Sequence, residues 1–155
     1  MGSNRLLVLV AVALAAFAVA WLGYTRLWVR SSAEPIAWRD RSALLARAQL
    51  AGPAYEVFRD RAAFAHFLDT RVQAAVAVPP IDFHRDLAVL LALGPRSSTG
   101  YEIQVERVRE EWGRVVIDAR ERSPRLGEPV SARVEYPLKL IVLRDAGKPV
   151  ALRWR

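Results

Sequence analysis

The sequence predicts an α+β fold, mainly antiparallel β arranged as a curled sheet or a β-sandwich-like pair, with one packed helix and a single N-terminal transmembrane helix ahead of it. Three observations carry this: an uncharged run over residues 6–24, a helical apolar stripe after Asp60, and five to seven short alternating strands from Leu87 onward. The chain of 155 residues suits one domain beyond the apolar run, and 53% hydrophobic content with 25% charge excludes a disordered tail.

Leu6 to Tyr24 is 19 residues without a formal charge. As a helix it reaches about 28 Å at roughly 1.5 Å per residue, close to the thickness of a bilayer core. Trp21, Tyr24 and Trp28, followed by Arg26 and Arg30, suit an interfacial belt. Ala18-Val19-Ala20 also fits a signal-peptidase pattern, but the run is long for a cleaved signal, so residues 1–30 are read as an uncleaved anchor with the C-terminal side outside. Residues 31–53 are read as linker and short helix, and 54–155 as the β-rich domain.

Within the linker, residues 31–39 are expected to be irregular, and Ser42 to cap a helix through about Gln49 that Gly52-Pro53 ends. Tyr55 to Phe58 reads as a strand. Asp60 is a good N-cap for a helix to about Val72, with Phe64, Phe67 and Leu68 at the spacing of a buried stripe. Pro79-Pro80 breaks the chain, and strands follow. Leu87 to Leu93 is apolar throughout, as a central strand would be. Ile103 and Val105 alternate with Glu102 and Gln104, Val115, Ile117 and Ala119 with Asp118 and Arg120, and Val130, Ala132, Val134 and Tyr136 with polar neighbours, each marking a strand with one wet face. Leu138 to Leu143 reads as a second central strand and Val150, Leu152 and Trp154 as the last.

Charge and residue chemistry narrow the function. The net charge is +7, but the basic residues are almost all Arg scattered among acids, as in Glu106-Arg107-Val108-Arg109-Glu110, which is a solvated strand rather than a phosphate track; no nucleic acid is expected. The absence of Cys excludes thiol catalysis, disulfides and cysteine metal sites, and two His leave little for metal binding. Asp82, His84 and Asp86 have metal-like spacing but read as a solvated turn, so no metal and no cofactor is expected. In Gly94-Pro95-Arg96-Ser97-Ser98-Thr99-Gly100, a Tyr follows where a phosphate-binding loop needs Lys, and a strand follows instead of a helix. Ser97 or Ser98 would need His84 or His66 as a base to act as a nucleophile. A polar loop between strands is where binding residues sit, so Arg96, Ser97, Ser98, Thr99, Gly100 and Tyr101 form the candidate partner-binding loop.

The order Ile81-Asp82-Phe83, Leu87 to Leu93, Gly94 to Ile103, Val108, Val115-Val116-Ile117, Glu121, Pro124, Gly127 and Tyr136-Pro137 resembles the C-terminal domain of the PrcB family over about residues 80–145. The family form usually has two glycines before the Tyr and ends in Pro-Tyr, whereas this chain has Gly100 alone and Tyr136-Pro137. The resemblance implies a non-catalytic accessory or stabilising subunit, exported or on the envelope, acting on a protease or envelope complex. Ser98-Thr99-Gly100-Tyr101 also resembles the cleft-inserting loop of chagasin-type peptidase inhibitors. The expectation is therefore a membrane-anchored, extracytoplasmic binding module, held through residues 6–24 and contacting a protein partner. The alternatives are a loop inhibitor, a structural envelope protein pairing through a sheet edge, and a serine hydrolase.

Overall fold

Burial on both faces of one strand organises the domain. A computed structural model describes residues 17–21 and 34–155. It divides into two compact units, Met1–Glu34 and Pro35–Arg155. In the first, residues 17–21 are helical, with Phe17, Val19 and Trp21 exposed and the Phe17 and Trp21 rings stacked 6.1 Å apart. The rest of the expected anchor lies outside the described residues, among which no helix is long and apolar enough to cross a membrane.

The second unit contains β1 (Trp38–Asp40), a 3₁₀ turn (Ser42–Leu45), β2 (Pro53–Phe58), α1 (Arg61–Arg71), β3 (Asp86–Leu93), β4 (Glu102–Glu111), β5 (Arg114–Arg122), β6 (Leu138–Arg144) and β7 (Val150–Trp154). One sheet has the order β1-β6-β3-β2 and is antiparallel throughout. The other has the order β4-β5-β7, antiparallel between β4 and β5 and parallel between β5 and β7.

Because strand side chains alternate, the apolar run of β3 serves two cores at once. Ala88, Leu90 and Ala92 face a layer built from α1 and the flanking loops, with Phe58, Phe64, Phe67, Leu68 and Leu140. Leu87, Val89, Leu91 and Leu93 face the second sheet, where Ile103, Val108, Val115, Ile117 and Ala119 meet them. The result is three layers: helix with loops, four-stranded sheet, three-stranded sheet. The helix starts where expected, with Asp60 Oδ1 accepting from the Ala63 N–H at 2.7 Å.

A bulge between Val105 and Arg107 adds one residue to β4, so its inward residues run Ile103, Val105, Val108 and the side facing the core is kept. The outer face of this sheet is ionic. Asp118 is 1% exposed, its Oδ2 accepts from Arg109 Nη1, and Arg153 binds Glu111 at 3.1 Å beside it.

Three expectations are corrected. Residues 31–39 are not all linker: Ile36 N–H donates to Val108 O at 2.9 Å, Pro35 bridges Arg109, and Trp38–Asp40 pairs with β6. The expected helix from Ser42 to Gln49 is only a 3₁₀ turn. Asp40, not Ser42, holds its start, accepting from the Ser42 N–H at 2.9 Å, while the Ser42 hydroxyl is used to accept from the Leu140 N–H. The expected strand Val130 to Tyr136 is irregular and largely exposed, because Pro129 and Pro137 bracket it and its neighbour is a loop, to which it is joined by the bridge between Arg96 and Glu135.

Candidate functional site

The predicted loop follows β3, and the long connection from β5 to β6 lies against it at the same end of the sheets. Arg96 N–H donates to Glu135 O at 2.8 Å and Glu135 N–H to Arg96 O at 3.0 Å; Thr99 N–H donates to Ser131 O, and Thr99 Oγ1 accepts from the Ser131 N–H. The two segments are zipped together along their backbones.

Side chains complete the brace. The Arg96 guanidinium forms a two-pronged pair with Glu121, Nε to Oε1 and Nη2 to Oε2 both at 2.9 Å, and its Nη1 donates to Leu93 O at 3.0 Å. Its planar head also lies 5.9 Å from the centre of the Tyr101 ring, a cation–π distance. Hydrogen bonding from Arg96 holds the Glu121 carboxyl below its ordinary range and, reciprocally, Glu121 raises the guanidinium pKa. Arg122 Nη2 donates to both carboxylate oxygens of Glu128, at 3.0 and 2.8 Å. The Arg125 N–H, with Arg122, keeps the Glu128 carboxyl low as well.

Gly100 has φ of 92°, and a Cβ there would stand 3.0 Å from the Pro124 ring and 3.3 Å from Val130. The close approach that glycine permits is thus made to the chain itself. Of the six predicted residues, only Ser97 is exposed; Arg96, Ser98, Thr99, Gly100 and Tyr101 are half-buried. The structure brings all six together at one end, but it uses Arg96, Thr99 and Gly100 to fix the loop.

What reaches solvent is the neighbouring connection. Leu126, Val130 and Val134 are large apolar residues left exposed, Leu126 completely. Beside them Arg133–Pro137 and Ala46–Gln49 line a cleft of about 420 Å³ with Arg47 and Arg133 at its sides. Leu126 is missed from sequence because it sits in Pro124-Arg125-Leu126-Gly127, a stretch whose composition signals only a turn. Val130 and Val134 are missed because their alternation suggests a strand face.

The catalytic alternatives meet geometry. His84 precedes β3 and Ser97 follows it, so the eight residues of that strand stand between them, about 25 Å at roughly 3.3 Å per residue. Asp82 Oδ1 accepts from the His84 N–H at 3.1 Å and Asp86 pairs with Arg39, which makes them turn and strand ties. Among the described residues no group of three or more His, Asp or Glu is placed to hold a metal ion.

No curated protein and no solved structure matches the chain. Glu121 and Pro124, two of the residues on which the sequence resemblance rests, are the ones that brace Arg96 and Gly100. Residues 87–144, from β3 through β6 and including this braced end, match the family model described as PrcB C-terminal, the family that the order of residues from Ile81 to Pro137 resembles.

Proposed function

We propose that the chain is a non-catalytic binding module, anchored in the cytoplasmic membrane by residues 6–24 with its domain outside the cytoplasm, and that it serves as an accessory or stabilising subunit of a protease or envelope complex. The observation that carries this reading is the braced end. A pre-formed edge offers Ser97 and the exposed Leu126, Val130 and Val134 on backbone that has little freedom left to lose on binding. The match of this segment to the PrcB C-terminal family supports a protease-complex module. The exposed apolar side chains of the helical residues 17–21 support the anchor.

The test is photo-crosslinking in cells, using the full-length chain with a crosslinking residue at Ser97, at Leu126, or at His66 on the far helix. Adducts with a protease or envelope component from the first two positions and not from the third are expected. Equal yield at all three, or none at 97 and 126, overturns the assignment of this end. His84→Ala should retain the partner. A C-terminal phosphatase fusion should be active, and an inactive one would reverse the orientation.

A further inference from the structure

The opposite end of β4 carries a feature that the proposed partner surface does not use. β4 and β5 are joined by a two-residue turn in which Trp112 has φ of 55° and Gly113 φ of 72°, the signature of a type I′ hairpin. Asn, Asp or Gly suits the first position; a bulky side chain there is strained. Trp112 is nonetheless 74% exposed, so neither packing nor local conformation rewards it. An outlier that is both strained and exposed is a reason to look for a contact.

The surroundings say what the contact is. Arg114, exposed and next to the turn, has no acidic partner among the described residues. Behind the ring is a hollow of about 350 Å³ lined in part by Val116, Ala151, Arg114 and Arg153. Pro35 bridges Arg109 in antiparallel sense, which places the start of this domain on β4, the strand that leads into the hairpin. Only ten residues, 25–34, separate Tyr24, the last of the apolar run, from Pro35, and their eleven Cα steps make a tether of at most about 40 Å at roughly 3.6 Å per residue. Trp at the headgroup level with Arg beside it is the usual chemistry of a bilayer interface.

We propose that the Trp112 hairpin is a membrane-contact finger, with the indole seated at the headgroup–acyl boundary of an anionic bilayer and Arg114 against lipid phosphates. The inference rests on the anchor reading, and the test separates the two. The chain has no Cys, so single-cysteine nitroxide labels can be placed at will in the full-length protein. Labels at Arg114→Cys, Leu126→Cys and Ala15→Cys are compared in detergent and in vesicles of three parts phosphatidylcholine to one part phosphatidylglycerol. The reading is accessibility to oxygen relative to a water-soluble nickel chelate. That ratio should rise several-fold in vesicles at 114 and stay flat at 126. Adding Trp112→Asn, which suits the positive φ and keeps the turn, should abolish the rise at 114.

A label at 114 that stays water-exposed while the one at 15 is lipid-embedded overturns the finger and leaves the anchor standing. A label at 15 that is not embedded overturns both. Shielding of 114 from oxygen and nickel alike would mean a protein covers the hairpin, and that too overturns the lipid assignment.

Discussion

The connection from β3 to β4 and the hairpin from β4 to β5 both turn on glycines with positive φ, Gly100 at 92° and Gly113 at 72°, yet they are held in different ways. Around Gly100 the chain is zipped to the 131–135 segment, forked to Glu121 and pressed on Pro124. Around Gly113 nothing lies within 4 Å of where a Cβ would be, and the neighbouring side chain is an uncovered indole. The difference teaches that polarity in a loop is a poor measure of its freedom to bind. The Arg96 and Thr99 that help make the first loop look like a contact site are consumed in fixing it. The second, with little to mark it in composition, presents its side chains outright.

Alanine at the two glycines should expose that contrast most strongly. Gly100→Ala combines a strained φ with a 3.0 Å approach to a rigid proline ring and should cost about 2–4 kcal/mol, measured by urea denaturation. Gly113→Ala meets only the backbone term, about 1 kcal/mol. Equal losses would mean the loop relaxes as freely as the hairpin.

Arginine truncation is the next sharper. Arg96→Ala leaves Glu121 and the Leu93 carbonyl without their donor and should cost about 1–3 kcal/mol. Arg114→Ala should fall within about 0.5 kcal/mol of wild type. A double-mutant cycle with Glu121→Gln should show that most of the Arg96 effect is shared with that carboxylate.

Acid should weaken the braced end. Glu121 and Glu128 both have folded-state pKa values below the ordinary 4.5, so their contribution is complete above about that pH and is lost as pH falls through the lower folded values. The protection factors of the Thr99 and Ser131 amides, after division by their intrinsic exchange rates, should therefore fall below pH 4.5, and Glu121→Gln should flatten the dependence. One modest effect should be a gain: Trp112→Asn relieves part of the ~1–2 kcal/mol that a left-handed residue costs and should stabilise by about 0.5–1 kcal/mol in detergent melts.

The sequence makes the layers readable and the ties between them unreadable. Leu87 to Leu93 announces a strand buried on both faces because every residue is apolar, and Asp60 with Phe64, Phe67 and Leu68 announces a capped, half-buried helix. Periodicity reports which side of an element is dry. It does not report what an exposed-looking residue touches sixty or a hundred positions away, which is why Trp38–Asp40 pairing with Ile141–Leu143 and Ser42 meeting Leu140 escape it. The same limit turns Val130 to Tyr136 into an expected strand: its alternation is genuine, but a strand needs a partner, and the partner offered is a loop. The loop Arg96 to Tyr101 is legible as a place and not as a role, since the fork to Glu121 spans 25 residues.

The segment from Pro35 to Asp40 touches the three-stranded sheet at Val108 and Arg109 and then the four-stranded sheet along β6. It is a clasp sewn across the seam of the sandwich. Tension applied from the N-terminus would reach Ile36 and its bond to Val108 before any strand of the core, so this stitch would be the first to part under load. A protease nick ahead of Pro35 would release a domain with its seam closed. A nick after Asp40 would strip the clasp and leave the edges of β4 and β6 bare, a free domain with two sticky borders.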